Sequence, residues 1–230
     1  MFEITLSGPG KNALGSEMMD FLLARLGEAG GQPVLLAGAG DAFCAGLNLK
    51  ELAGLDAAGI ERYLRKLEQV IEALYLYPGP TVAWVNGYAI AGGSVLALCC
   101  DHIVAADLPK SKIGLNEIAI GLRFPPVTLA MIRGRLGAQH ENEVILGAQL
   151  FDPAGALRVG LVDELAADVA VAHARLATLA SHPAPNYATA KRDLRGAAIA
   201  AARDEARFAA ILPTWTSPEI AARIAGALKR

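Results

Sequence analysis

The segment from Thr81 to Asp107 constrains the fold more than any other part of the chain. Its first half, TVAWVNGYAIAGG, is a strand-like run that breaks into a glycine turn, and SVLALCC follows at once. Because SVLALCC carries no polar residue after its first serine, it suits a helix that is buried on all sides. The short strand HIVAAD comes next, so the segment places a helix inside the core, between strands.

The first third of the chain shows a similar alternation of strands and helices. FEITLSG is predicted to be a strand, Ser16 to about Glu28 an amphipathic helix, and QPVLLAG a buried strand. Apolar residues at helical spacing predict further helices over Gly59 to Leu76 and from about Pro126 to Leu136. The chain is therefore expected to form an α/β core.

A boundary is predicted at Ser181 to Pro185, because two prolines close together stop a helix and start an extended connector. We expect a core over residues 1–180 and a helical C-terminal subdomain over 181–230. The last helix should begin with Ser217 as its N-cap and proline at its first position. Its apolar face either covers the core's active site or packs on a neighbouring subunit; this face comprises Ile220, Ile224 and Leu228.

Composition narrows the class of partner. Apolar residues make up 53% of the chain, charged residues 19%, and the net charge is −2, which suggests neither disorder nor a broad nucleic-acid surface. No apolar run approaches a membrane span, and the N-terminus has no basic segment leading into an apolar one. We expect a cytoplasmic protein with a small-molecule partner and no nucleic-acid or membrane partner.

Two glycine turns are candidate binding elements, one from Gly38 to Leu52 and one from Asn86 to Leu98. A strand–turn–helix unit presents free amide N–H groups that favour negative charge, although a tight connection that needs glycine explains either turn equally well. Neither turn has the GxGxxG spacing, and the chain contains no GxxxxGK[ST] or GxSxG motif. Dinucleotide binding and serine hydrolysis therefore have little support.

Five blocks of sequence, in order, resemble the enoyl-CoA hydratase/isomerase (crotonase) superfamily across roughly residues 2–165. They are KNAL, AFCAGLNLKEL, VNGYAIAGGSVLALCCDHIVA, IGLNEIAIGL and AGALRVGLVDEL. The resemblance implies a ββα spiral core, an acyl-CoA substrate with no other cofactor, and a homotrimer or a dimer of trimers. It also implies that the backbone amides of Leu47 and Gly92 hold the thioester oxygen. Each such donor is worth roughly 3 to 4 kcal/mol to an enolate.

The resemblance also assigns the acid/base chemistry. Hydratases of the family use two glutamates; the first aligns with Val95, which cannot carry a proton, and the second aligns with Glu117. The IGLNE motif is similar to the Δ3,Δ2-enoyl-CoA isomerase branch, which works with that single carboxylate. Glu117 is expected to lie in an apolar pocket with a raised pKa. Without the family context, an exposed carboxylate or a helix cap would be the better interpretation of Glu117.

Coenzyme contacts are implied for Lys11, Ala45 and Lys50, together with Leu47 and Gly92. Lys229 or Arg230 is a further candidate on the terminal helix, and a surface lysine is the plain alternative in each case. The four histidines have no metal-ligand spacing, and no metal is expected.

Two polar residues near the expected acyl pocket leave alternatives open. Arg123 is either a salt-bridged structural residue, which is favoured, or a contact for a carboxylate on the acyl group. Asn116 either orients Glu117 or, as favoured here, faces solvent. The expected activity is double-bond isomerisation, and the alternatives are an enoyl-CoA hydratase and an acyl-CoA-binding protein without turnover.

Overall fold

The structure is a computed structural model that describes residues 1–228, so Lys229 and Arg230 lie outside the described residues. Its strands are β1 (Phe2–Leu6), β2 (Val34–Gly38), β3 (Ala42–Cys44), β4 (Thr81–Val85), β5 (Tyr88–Ile90), β6 (His102–Ala106), β7 (Ile113–Gly114) and β8 (Glu164–Ala166). The α-helices are α1 (Pro9–Asn12), α2 (Ser16–Ala29), α3 (Leu49–Ala53), α4 (Ala57–Tyr75), α5 (Gly92–Cys99), α6 (Pro126–Arg135), α7 (Pro153–Arg158), α8 (Ala170–Ala180), α9 (Ala184–Ala202), α10 (Glu205–Ala209), α11 (Leu212–Trp215) and α12 (Pro218–Ala227). A short 3₁₀ helix spans Ile118–Ile120, and a π-helical turn spans Asn142–Leu146. Within residues 1–228, no helix combines the length and the apolarity that crossing a bilayer requires.

Two parallel sheets organise the core. One has five strands in the order β1-β2-β4-β6-β8, and the other has three in the order β3-β5-β7. Three successive passes of the chain each give one strand to the large sheet, the next strand to the small sheet, and then a helix. These passes are β2, β3 and α3, then β4, β5 and α5, then β6, β7 and α6. This is a ββα spiral, and it confirms the predicted α/β core.

The break between β4 and β5 lies at Asn86 and Gly87. The sequence predicts one strand from Thr81 to the glycine turn, whereas the structure divides this run between the two sheets. The Asn86 side chain holds the crossing, because its Oδ1 accepts from the Gly38 amide (3.0 Å) and its Nδ2 donates to the Gly40 carbonyl (2.9 Å). A Cβ at Gly87 would lie 2.0 Å from the Asp41 carbonyl oxygen, so only glycine fits there.

The helix α5 is buried along its whole length, as its sequence predicts. All eight of its residues are buried, from Gly92 to Cys99. The opposite face of the large sheet is covered by α8, whose Ala172 and Leu176 pack against Leu35, Val82 and Val104. The core therefore has layers on both faces of the large sheet.

The region after the predicted boundary is helical throughout its described part, from α9 to α12. The connector is short: α8 ends at Ala180, α9 begins at Ala184, and Pro185 lies in the first turn of α9, where a missing N–H costs no helix bond. These helices share one hydrophobic cluster with the spiral through residues such as Phe208 and Trp215. The division into 1–180 and 181–230 stays a prediction.

A buried ionic cluster attaches α9 to the large sheet. Asp101 accepts hydrogen bonds from Lys191 (2.6 Å) and the Tyr187 hydroxyl (2.8 Å), and it forms an ion pair with Arg195 (2.9 Å). Lys191 also donates to the Gly79 carbonyl (2.7 Å), and Arg195 donates to the Tyr75 carbonyl (2.8 Å). Both cations are therefore hydrogen-bonded as well as paired, which a buried charge requires.

Candidate active site

Glu117 is a buried carboxylate in apolar surroundings. Its side chain is contributed by the segment between β7 and the short 3₁₀ turn Ile118–Ile120, and 7% of the residue is exposed. Burial is the main cause that raises its pKa from the ordinary 4.5 to about 8. Its Oε2 atom has no hydrogen-bond partner within residues 1–228. This is the environment that the sequence predicted for Glu117.

A cavity of about 200 Å³ opens beside Glu117. Its walls come from both glycine turns, from the segment around Glu117 and from α12. The lining residues are Ala45, Leu47, Leu49, Ile90, Ala91, Asn116, Glu117, Ile120, Leu122, Ile220, Arg223 and Ile224. Most of these side chains are apolar, which suits a ligand with a hydrocarbon portion.

The first glycine turn directs the Leu47 amide away from its neighbouring strand. Leu14 forms a parallel bridge with Leu47, in which the Leu14 amide donates to the Gly46 carbonyl (2.7 Å) and the Asn48 amide donates to the Leu14 carbonyl (3.2 Å). The middle residue of such a bridge keeps its own N–H on the opposite side. The Leu47 N–H has no acceptor within the described part of the chain.

The second glycine turn leaves the Gly92 amide without a helix partner. Gly92 is the first residue of α5, and the N–H groups in the first turn of a helix have no acceptor within that helix. Ala91 before it has φ 50° and ψ −118°, a conformation that residues with a Cβ rarely adopt, and its own amide donates to the Gly114 carbonyl (2.8 Å). The turn thus holds one strained residue immediately before the free amide.

The two amides lie close to each other. A Cβ built at Gly92 would lie 3.6 Å from the Leu47 nitrogen, and one built at Gly46 would lie 3.7 Å from the Gly92 nitrogen. That Cβ at Gly92 would also approach Leu47 Cδ2 at 3.1 Å, a tight contact with the end of a flexible side chain. Leu47 and Gly92 both line a second, smaller cavity with Glu117, so the structure brings the three predicted catalytic positions together.

The helix α12 covers the site in the same chain. Ile220 and Ile224 line the main cavity, whereas Leu228 is exposed. Of the two roles that the sequence left open for this apolar face, the structure shows covering of the site. Arg223 also lines the cavity and pairs with Glu219 one turn away (2.7 Å).

The predicted coenzyme residues divide into two groups. Ala45, Leu47 and Gly92 line the two cavities, but Lys11 and Lys50 are exposed and line neither. Lys11 pairs with Asp41 (2.7 Å), and that hydrogen bond raises the pKa of Lys11. Lys229 and Arg230 lie beyond the described residues, and the coenzyme assignments of all four cationic residues stay predictions.

Arg123 and Asn116 differ from what the sequence favoured. The Arg123 guanidinium donates to the Ala210 carbonyl (2.8 Å), and within residues 1–228 it forms no salt bridge. Asn116 lines the main cavity, and its Oδ1 is buried without a hydrogen-bond partner among the described residues. The expectation that Asn116 faces solvent was wrong, because its side-chain oxygen is buried in the wall of the cavity that Glu117 also lines.

Several lining residues were not identified from the sequence, among them Thr128 and Trp215 of the smaller cavity. These two come from segments far apart in the chain, and no local motif marks them. Trp215 is fixed by the hydrogen bond from its Nε1 to the Arg123 carbonyl (2.9 Å). Within residues 1–228, no cluster of histidine, cysteine or carboxylate side chains has the arrangement of a metal site.

Comparison with known proteins gives consistent matches. The enoyl-CoA hydratase/isomerase family model matches residues 1–210. The mitochondrial enoyl-CoA delta isomerase 1 of Mus musculus is 39% identical over 123 residues, which are 54% of this chain and 43% of that protein. A putative enoyl-CoA hydratase of Thermus thermophilus is 34% identical over 163 residues, 68% of this chain and 63% of that protein. The aligned segments thus span less than two thirds of either relative.

A solved structure extends the match to the whole fold. The crystal structure of human mitochondrial Δ3-Δ2-enoyl-CoA isomerase superposes with a TM-score of 0.91 at 26% identity, covering 99% of this chain and 92% of the human one. The spiral core, the two converging glycine turns and the family match over residues 1–210 lead to one conclusion: this chain belongs to the enoyl-CoA hydratase/isomerase, or crotonase, family.

Proposed function

We propose that the protein is an enoyl-CoA isomerase that moves a double bond from C3–C4 to C2–C3 of an acyl-CoA thioester. The observation that carries this proposal is the single carboxylate of the site. Of the described residues that line the two cavities, Glu117 is the only one with a carboxyl group. Isomerisation needs one base that takes and returns the same proton, whereas family hydratases use two glutamates.

Glu117 would first remove a proton from C2 of the substrate. The electrons of that C–H bond pass toward the thioester carbonyl and form a dienolate, whose negative oxygen accepts hydrogen bonds from the Leu47 and Gly92 amides. The protonated Glu117 then returns its proton to C4, and the double bond lies between C2 and C3. The reaction is balanced without water, metal or redox cofactor.

The surroundings of Glu117 support this role. With a pKa of about 8, its protonated and ionised forms are close in free energy near neutral pH, so it can both accept and return a proton. The position that aligns with the first hydratase glutamate is Val95, which is 2% exposed and lines the smaller cavity. Valine at this position favours isomerisation over hydration.

The names of the relatives include both activities, so hydration of 2-enoyl-CoA is the second candidate. It would require Glu117 alone to take a proton from water and to give one to C2. We expect this reaction to be slow or undetectable, and unchanged by Val95→Ala. An acyl-CoA-binding role without turnover is the third candidate, and it predicts that Glu117→Gln leaves ligand affinity and biological function intact.

The proposal is tested with purified protein and with 3-enoyl-CoA and 2-enoyl-CoA substrates of several chain lengths. Absorbance of the conjugated thioester follows isomerisation, and mass spectrometry follows water addition. Loss of isomerisation in Glu117→Gln is expected, while Glu28→Gln, an exposed glutamate paired with Arg25, serves as the matched control. Tight binding of every thioester without turnover would contradict the isomerase assignment.

The resemblance that supports this activity also supports a homotrimer or a dimer of trimers as the assembly. We propose that state for this chain, with the acyl-CoA thioester as its ligand.

A further inference from the structure

A second cavity, of about 20 Å³, lies behind the main one against Glu117. A single water molecule needs about 10 to 15 Å³ and at least two polar partners. The cavity is walled by Leu47, Leu67, Gly92, Val95, Glu117, Arg123, Phe124, Pro125, Thr128 and Trp215. Its volume suits one water molecule, and its polar lining atoms decide whether water is favourable there.

Thr128 provides the first polar atom. The residue is 2% exposed, and its Oγ1 has no hydrogen-bond partner within residues 1–228. Threonines in helices commonly donate to the carbonyl four residues earlier, as Thr178 of α8 does to Ala174 (3.0 Å). Thr128 is the third residue of α6, so the corresponding carbonyl lies before the helix begins. Its hydroxyl therefore needs another partner.

Glu117 and Gly92 provide the others. Oε2 of Glu117 is buried without a partner in the described part of the chain, and the Gly92 amide at the start of α5 has no helix acceptor. A buried polar atom without a hydrogen bond is rare in folded proteins and costly. Here two such side-chain oxygens line one cavity of the size of a water molecule.

We propose that Thr128 and Glu117 hold one buried water molecule between them, and that Thr128 is thereby a positioning residue for the Glu117 carboxylate. The water donates one hydrogen bond to the Glu117 carboxylate. It accepts a second hydrogen bond from the Thr128 hydroxyl, and this bond orients the water. The functional part of this inference rests on the proposed role of Glu117 as the base. The water site itself does not depend on that role.

Such a water has a defined effect on the proton affinity of Glu117. A hydrogen bond donated to the ionised carboxylate favours that form, so the water opposes the effect of burial. The charged groups that line the cavities around Glu117 are Arg123, from the loop before α6, and Arg223, from α12. Both are held elsewhere, Arg123 by the Ala210 carbonyl and Arg223 by Glu219, so neither replaces the water as a direct partner.

The test uses Thr128→Val, which keeps the shape of the side chain but removes the hydroxyl, and Thr128→Ser, which keeps the hydroxyl. The titration of the Glu117 carboxyl is followed by infrared difference spectroscopy, with Glu117→Gln to identify its band. In Thr128→Val the midpoint should rise by about one pH unit, the size of one hydrogen bond to a charge. Thr128→Ser should keep the wild-type midpoint.

The pH profile of isomerisation gives a second measurement. A rise of one unit in the pKa of Glu117, from a value at or just below about 8, lowers its ionised fraction by about five- to tenfold at pH 7 but by less than twofold at pH 9.5. We therefore expect kcat/KM of Thr128→Val to fall about five- to tenfold at neutral pH and to recover at high pH. A loss of the same size at every pH would indicate a purely structural role and would overturn the inference, as would a serine variant that behaves like the valine variant.

The outcomes separate this inference from the proposed function. A shifted midpoint in a protein without isomerase activity supports the water site and contradicts the isomerase assignment. Isomerase activity together with an unshifted midpoint in Thr128→Val supports the isomerase assignment and overturns the water site. If Thr128→Val does not fold, a high-resolution crystal structure of the wild type decides: density for one water within hydrogen-bond distance of Thr128 Oγ1 and Glu117 is expected, and ordered side chains with no density between them overturn the inference.

Discussion

Replacing Glu117 by glutamine should stabilise the protein, and the gain should grow with pH. The pKa of Glu117 is raised in the folded state from 4.5 to about 8, so the unfolded chain loses its proton first as the pH rises. The contribution of Glu117 to the stability of the wild type therefore falls between about pH 4.5 and pH 8 and is level above that range. Glutamine is close in shape to protonated glutamate and carries no charge at any of these pH values.

The magnitude follows from the two pKa values. Ionisation of Glu117 lowers the free energy of unfolding of the wild type by about 1 kcal/mol at pH 5 and by about 4 kcal/mol at pH 8. These values use about 1.36 kcal/mol for each unit by which the pKa differs between the folded and unfolded states. The difference in unfolding free energy between Glu117→Gln and wild type should therefore increase by about 3 kcal/mol over this range. All other titrating groups are common to both proteins and cancel in the difference.

Urea denaturation of both proteins at a fixed protein concentration, repeated from pH 5 to pH 8, measures this quantity. Glu28→Gln, which changes an exposed glutamate, should show a flat difference over the same range. A flat difference for Glu117→Gln would refute the reasoning, because it would mean that Glu117 titrates at the same pH in the folded and unfolded states.

Further predictions concern the fold, the ionic cluster and the assembly. Gly93→Ala should abolish soluble folding, since the new Cβ would lie 2.0 Å from the Cys44 carbonyl oxygen. Gly27→Ala is the matched control, because its Cβ would meet nothing within 4 Å, and thermal denaturation should show α2 stabilised by up to about 1 kcal/mol. Asp101→Asn should cost about 3 to 5 kcal/mol in the same assay, because it leaves the two buried cations of α9 without their counter-ion; a loss below 1 kcal/mol would contradict that account. Light scattering should give the mass of three or six chains, and a monomer would contradict the predicted assembly.

Helices were predicted well where a local pattern of apolar residues or a capping side chain determines them. The amphipathic helix expected from Ser16 to Glu28 is found over Ser16–Ala29, and the wholly apolar run after the second glycine turn is a fully buried helix. The N-cap at Ser217 is also found, with its side chain accepting from the Ile220 amide (3.2 Å). Each of these depends on hydrophobic spacing or a capping side chain within a few positions.

Features that depend on contacts between distant segments were not predictable in this way. The division of one apolar run between two sheets depends on how Asn86 meets the first glycine turn. The cavity that Asn116 lines is completed by α12, more than 100 residues later in the chain, and the cavity that Thr128 lines is completed by Leu47 and Trp215. Glu117 itself was identifiable because the family motif surrounds it; its burial and spacing alone would not have selected it.

The two amides that converge beside Glu117 belong to the main chain, and this determines what mutational scanning can detect. Substituting alanine for Leu47 removes an isobutyl group but leaves the N–H that the proposed mechanism uses, so a scan would score this position as a minor packing site. Only chemistry that alters the backbone, such as replacing the amide by an ester through semisynthesis, would reveal its contribution. In a survey of single substitutions, Glu117 would therefore be the only one of the three groups of the proposed mechanism to register, because the other two are backbone amides.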